Sequence, residues 1–292
     1  MLRVRPTRLL LWRAAGPDDR SAIVPRIVGV VDRSEPGPLA GKRVAAPVRI
    51  TCGRCSACKS GLAEQCLKPR ESDVFDEDGQ WRTELAIPAS SLVPVPDALD
   101  DDAATFAWDV GRVLHAAARL HLEGKPFVTV LGDNALALLA VQVMASRNAS
   151  VRCLGRRPRF FTLCEKWGIK HRHVDEVGRR QDQDIVVECS GEPTSLATAT
   201  QLAKPRGKIA LVRPWNGDEP QGPASVVERI IRRELTVVGV SGSSLAEGIG
   251  ALAAGGVETA SLVSRRFRRG DVAPALRAAL DDEQLAVLAD LG

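Results

Sequence analysis

The chain has 292 residues and a net charge of +4, with 45% apolar and 26% charged residues; this balance suits one large or two ordinary globular domains and excludes disordered and fibrous classes. Its best apolar stretch, Ala135 to Ala145, is interrupted by Gln142 and falls short of the ~20 residues that cross a bilayer, so no membrane partner is expected. The basic pairs Arg156-Arg157, Arg179-Arg180, Arg232-Arg233, Arg265-Arg266 and Arg268-Arg269 are scattered, Tyr is absent and Phe numbers six, which argues against a nucleic-acid partner.

In chain order, Leu2 to Arg20 carries Arg3, Arg5, Arg8 and Arg13 around the run Leu9-Leu10-Leu11-Trp12. That run is too short for a secretory segment, so a cytoplasmic location is expected. Short apolar runs separated by Gly, Pro and Asp predict strands at Ile27 to Val31, Arg43 to Val48, Thr83 to Ile87 and Leu92 to Val95. Glu71 to Asp78 reads as an exposed acidic loop, and Val95-Pro96-Asp97 as a turn into a helix over Ala98 to Ala107. From Ala103 the pattern alternates. A helix to about Glu123 leads to strand Phe127 to Leu131, helix Ala135 to Arg147, strand Ser150 to Leu154 and helix Pro158 to Trp167. Strand Asp184 to Glu188, helix Ser195 to Leu202, strand Lys208 to Val212, a helix around Val226 to Arg232 and strand Leu235 to Val240 follow. Strands alternating with helices predict a doubly wound parallel sheet. Ser244 to Gly292 predicts two or three helices and one strand, Leu262 to Phe267.

Four of the seven cysteines, Cys52, Cys55, Cys58 and Cys66, fall within 15 residues. The spacing C-x2-C-x2-C-x7-C can fold four thiolates around one structural zinc, with an iron–sulfur cluster or disulfides as the alternatives. Gly53 and Gly61 permit tight turns, and Arg54, Lys59 and Lys68 offset the thiolate charge. Cys153, Cys164 and Cys189 are isolated and read as small buried hydrophobes.

Val128 to Ala137 joins a first strand to a first helix through Gly132-Asp133-Asn134-Ala135-Leu136-Ala137, the place where helix-end N–H groups hold a pyrophosphate. The G-x-G-x-x-G/A fingerprint is degraded, since Asn134 stands at the second Gly. Asn tolerates the left-handed conformation, which would preserve the turn. The second strand ends at Gly155-Arg156-Arg157, where an NAD site carries an acid, so NADP(H) rather than NAD(H) is expected, its 2′-phosphate facing the arginines; the alternative is a solvated loop.

The segments Cys52 to Cys66, Ala86 to Asp97, the alternating run, and Asp184-Ile-Val-Val-Glu188-Cys-Ser-Gly191 resemble the medium-chain zinc-type alcohol dehydrogenases over about residues 25 to 292. The resemblance implies an N-terminally shortened GroES-like domain over 1–114, with the structural zinc lobe at 52–66. A Rossmann domain over 115–255 and a C-terminal segment over 256–292 returning towards the first domain complete it. The resemblance carries over to the four lobe cysteines and to Gly132 and Ala137. With it go a small-molecule substrate, a homodimer, and a dinucleotide held by Gly132, Asn134, Ala137, Gly155, Arg156, Arg157 and Gly191.

The departures bear on catalysis. The family holds a catalytic zinc through an early Cys, a His from Gly-His-Glu and often a later Glu or Cys. This chain has no Cys or His before Cys52, Pro25 and Arg26 stand at the His and Glu, and Trp108-Asp109 at an expected Glu-Pro. No catalytic residue is identified; His115, His121, His171 and His173 are the only histidines, and Asp109 and a cleft-facing Arg26 are further candidates. Two functions follow: hydride transfer without a catalytic zinc, since the nicotinamide carries that chemistry, or a catalytically silent dehydrogenase-like binding protein. A zinc-ribbon nucleic-acid binder would leave the C-terminal two-thirds of the chain unused.

Overall fold

The computed structural model describes residues 1–13, 23–47, 49–178, 180–213 and 224–292. The end of the Leu2 to Arg20 stretch, Val48 of one expected strand, and Arg179 lie outside them. The chain divides into two compact units, one made of residues up to Gly111 together with Gly242–Gly292, the other Arg112–Ser241.

The first unit opens with β1 (Leu2–Leu11), β2 (Arg26–Val31), β3 (Arg43–Ala46) and β4 (Arg49–Ile50). A single turn α1 (Ser56–Lys59), β5 (Arg70–Glu71), β6 (Leu85–Ile87), β7 (Val93–Pro94) and α2 (Asp101–Ala104) follow, and α3 (Ala107–Leu120) begins in it. The expected helix over Ala98 to Ala107 is shorter than predicted, because Asp100 caps it by accepting the Ala103 N–H.

The second unit runs β8 (Phe127–Leu131), α4 (Ala135–Ser146), β9 (Ser150–Gly155), α5 (Phe161–Lys166) and β10 (Lys170–His173). It continues with β11 (Gln183–Glu188), α6 (Ser195–Leu202), β12 (Ala203–Leu211), α7 (Ala224–Arg232) and β13 (Thr236–Gly239). The chain then returns to the first unit as α8 (Leu245–Ala253), β14 (Val263–Arg268), α9 (Val272–Leu280) and β15 (Ala286–Asp290). Residues 242–255, expected with the nucleotide-binding domain, group with the first unit. There the Ser243 hydroxyl donates to the Trp108 carbonyl.

The first unit's sheet has the order β14-β15-β1-β2-β3-β7, with β6 also on β1. β1 is antiparallel to β15, Leu9 opposite Ala289 and Leu11 opposite Val287, and the Leu291 N–H donates to the Thr7 carbonyl at 2.9 Å. Leu9, Leu11, Ile27, Val44 and Ile87 pack there with Ala275 and Ala279 of α9 into one core.

The second unit's sheet is parallel throughout, in the order β10-β9-β8-β11-β12-β13. Numbered within the unit this is 3-2-1-4-5-6, the doubly wound arrangement whose strand order reverses between β8 and β11. Strands buried on both faces must be apolar throughout, as Ile185-Val186-Val187 is. Residues Ala135 to Met144 of α4 are all buried, which a helix apolar all round requires. Each of its three leucines contributes about 1.5–3 kcal/mol by leaving water. This helix is what the long apolar run of the sequence encodes.

Candidate functional site

In the cysteine lobe, α1 and the 3-10 turn Ala63–Gln65 bring four sulfurs within 4.8 Å of one another. Cys55 Sγ lies 3.5 Å from Cys58 Sγ and 4.0 Å from Cys66 Sγ. Those distances bracket the roughly 3.8 Å edge of a tetrahedron with ~2.3 Å zinc–sulfur bonds. Gly53 and Gly61, both at positive φ, make the turns. Backbone N–H groups stabilise thiolates here: those of Cys58 and Leu67 lower the Cys55 thiol to about 6, while burial and the neighbouring thiols push Cys58 up to about 12. Cys66 is buried and the other three half-buried. A closed four-sulfur set leaves no coordination position for substrate, so this donor set suits a structural ion.

The seven expected cofactor residues gather at the ends of β8, β9 and β11, at the switch point of the parallel sheet. Gly132 has φ +121, and a Cβ on it would lie 3.0 Å from the Ser190 N, so both dihedral and space demand glycine. Asn134 departs from the left-handed conformation expected of it. It is extended, at φ −84 and ψ 175. Its Oδ1 accepts the Ala137 N–H at 3.0 Å as the N-cap of α4, and its Nδ2 donates to the Cys189 carbonyl at 2.7 Å. A side chain therefore takes one of the helix-end donors that a bare glycine would leave to a phosphate. Gly191, at φ +70, sits in a turn tied by Glu188, whose Oε1 accepts the N–H groups of Ser190 and Gly191. Burial pushes the Glu188 carboxyl up despite those hydrogen bonds.

The two arginines expected to face a 2′-phosphate are both engaged by acids. Asp133 Oδ2 accepts the N–H groups of Arg156 and Arg157, each at 2.7 Å, and its Oδ1 accepts Arg157 Nε at 2.9 Å and Nη2 as well. Arg156 pairs with Asp175 and Glu192. Sequence reasoning missed Asp133. The signal for it was the charge complement between Asp133, directly after β8, and Arg156-Arg157, directly after the adjacent β9.

In the first unit, Arg26 neither faces a cleft as a free charge nor lies exposed. It is 9% accessible, and its Nε and Nη2 donate to the two carboxylate oxygens of Asp109 at 3.0 and 2.9 Å. Its guanidinium lies 5.7 Å from the Trp12 ring centre and 5.9 Å from that of Trp108, within cation–π range. A catalytic zinc needs neutral or anionic donors, and a buried guanidinium bound to the Asp109 carboxylate does not fit one. Among the described residues, the four lobe cysteines are the cluster of three or more ligating side chains. His171 stacks on Phe161 and bonds Glu165, while His173 accepts the Asp175 N–H; both have structural tasks.

A family model described as alcohol dehydrogenase GroES-like domain matches residues 20–97. An L-threonine 3-dehydrogenase of Alteromonas mediterranea is 25% identical over 247 residues, 79% of this chain and 70% of its own length. Among solved structures, L-idonate 5-dehydrogenase of Escherichia coli aligns with a TM-score of 0.85 at 21% identity, over 99% of this chain and 91% of that one. A putative zinc-binding dehydrogenase of Sinorhizobium meliloti, bound to NADP, aligns with a TM-score of 0.83 at 20% identity, over 99% and 92%. The fold is a GroES-like domain joined to a Rossmann domain. Residues 20–97 match the alcohol dehydrogenase GroES-like domain, and the whole chain shares its fold with zinc-type dehydrogenases.

Proposed function

We propose that this chain is a nicotinamide-dinucleotide oxidoreductase that moves a hydride to or from a small alcohol, carbonyl or enone, with one structural zinc and no catalytic zinc. The observation that carries the reading is the parallel sheet in 3-2-1-4-5-6 order with Gly132 and Gly191 at its switch point, where dinucleotides bind. Two similar proteins are named a threonine and an idonate dehydrogenase, which supports a small hydroxylated molecule as the substrate proposed for this chain. The nicotinamide would supply or accept the hydride; Gly132 and the α4 N-terminus would hold the diphosphate. NADP(H), the cofactor of one relative, is favoured over NAD(H) only if Arg156 and Arg157 exchange their acid partners for a 2′-phosphate. A cytoplasmic homodimer is part of the same proposal. No helix among the described residues is long and apolar enough to cross a membrane.

The second reading, a catalytically silent binder, draws on the Arg26–Asp109 pair at the family's metal position and on Asn134 in the phosphate turn. Calorimetric titration with NADH and NADPH, then a panel of alcohols, aldehydes, quinones and enones with and without chelator, separates the two. Chelator-insensitive turnover supports the first reading. Nucleotide binding with silence across the panel supports the second, and chelator-abolished alcohol oxidation by a still-folded protein refutes both.

A further inference from the structure

The rim of the nucleotide site contains an anion nest that is already filled from within. Two successive N–H groups, those of Arg156 and Arg157, together with the Arg157 guanidinium fork, are the donor set that reads a phosphate. All of these donors converge on the Asp133 carboxylate. A carboxylate has about four acceptor positions, and Asp133, 7% accessible, has four donors on them. Gly155 makes the arrangement possible. A Cβ there would lie 2.6 Å from both Cβ and Oδ2 of Asp133, so the carboxylate stands where a side chain at the end of β9 would begin. The end of this strand is where doubly wound nucleotide sites distinguish a ribose hydroxyl from a ribose 2′-phosphate.

Resting on the reading that the β8–α4 turn holds a dinucleotide, we infer that Asp133 is the cofactor-discriminating residue: its carboxylate occupies the 2′-phosphate subsite and makes the chain select NAD(H) against NADP(H). A phosphate arriving there must expel a carboxylate anchored to the backbone and then remain beside its charge. Arg156 does not redress the balance, because Asp175 and Glu192 already bracket it. The inference reverses the expectation drawn from the two arginines alone. Their charge is real, but three acids surround it.

The test uses the full chain, titrated by calorimetry with NADH, NADPH and adenosine 2′,5′-bisphosphate, in the parent, Asp133→Ala and Asp133→Asn. The parent is expected to bind NADH at least about tenfold more tightly than NADPH. Asp133→Ala opens the nest and is expected to raise affinity for NADPH and for the bisphosphate by about tenfold or more, the range of charge-assisted contacts, with NADH little changed. Asp133→Asn keeps the shape and one acceptor, and supplies the answer if the alanine protein fails to fold by circular dichroism. A parent that prefers NADPH, or a folded variant with an unchanged NADPH-to-NADH ratio, overturns the inference. If the parent binds neither dinucleotide, the proposed function fails. The Asp133 assignment is then upheld by a gain of bisphosphate binding in either variant and overturned by its absence.

Discussion

Removing Asp109 leaves the guanidinium of Arg26 buried without its counter-ion, and this is the perturbation with the largest calculable effect in the first unit. The two side chains are 10% and 2% accessible, far from the solvated regime in which ion pairs contribute little. Breaking a pair so enclosed costs about 3–5 kcal/mol, because the remaining charge keeps its desolvation penalty and loses its compensation. At roughly 2–4 °C per kcal/mol for a unit of this size, Asp109→Ala should lower the first unit's melting temperature by roughly 6–20 °C. Arg26→Met should fall in the same range, since the Asp109 carboxylate is then stranded. The double variant Arg26→Met with Asp109→Leu removes both charges, and replacing a buried pair by apolar residues of similar volume is often neutral or stabilising. It should recover most of the loss, with the Met thioether between Trp12 and Trp108. Urea denaturation of parent, both single variants and the double variant, followed by tryptophan fluorescence, closes the cycle. Single variants that each cost under about 1 kcal/mol, or a double variant no better than the sum of the singles, would refute the reasoning.

Three further outcomes are expected. Purified protein should contain one zinc per chain, and Cys66→Ser, which removes the one fully buried ligand of the four, should release it; elemental analysis showing two zinc ions, or none in metal-replete protein, contradicts the lobe assignment. Gly132→Ala should destabilise the second unit by roughly 1–3 kcal/mol, because alanine is strained at φ +121 and meets the Ser190 N at 3.0 Å; an unchanged denaturant midpoint would argue against that turn geometry. Burial raises the Glu188 carboxyl in the folded chain, so the fold binds more protons there than the unfolded chain, and stability falls as pH rises from the ordinary carboxylate range through the elevated value. Glu188→Gln should therefore gain stability relative to the parent as pH rises above the ordinary carboxylate range, and a pH-independent difference would exclude that origin.

The parallel sheet was readable in the sequence because a strand buried on both faces must be predominantly apolar, as Ile185 to Val187 is throughout and Val128 to Leu131 is apart from Thr129, and stretches of helical periodicity separate such runs. The cysteine lobe was readable for a different reason: its four ligands lie within one short segment, so spacing alone encodes the cluster. What escaped was encoded at long range. β1 alternates Leu2 and Val4 with arginines before passing into the wholly buried Leu9 to Leu11, a mixture that matches neither simple period. β10 carries two histidines and two cations, and β15 is as good a helix former as a strand former, so only the partner strand decides it. The two ion pairs that most affect the functional reading, Arg26 with Asp109 and Arg157 with Asp133, join residues 83 and 24 positions apart, and no local pattern announces them.

The antiparallel pairing of β1 with β15 carries a consequence for how the chain is born. β15 is completed about 280 residues after β1, so at 5–20 residues per second the earlier strand waits roughly 14–60 s for this neighbour. During that interval Leu9, Leu10 and Leu11 form one side of an unmatched β-edge, the kind of surface that captures other nascent chains. The second unit has all its strands between Phe127 and Gly239 and is free of that delay. Translation therefore favours a nascent species with a finished parallel-sheet unit and an open sheet in the first unit, and chaperone capture during synthesis should concentrate on residues 8–11, the part of β1 that pairs with β15.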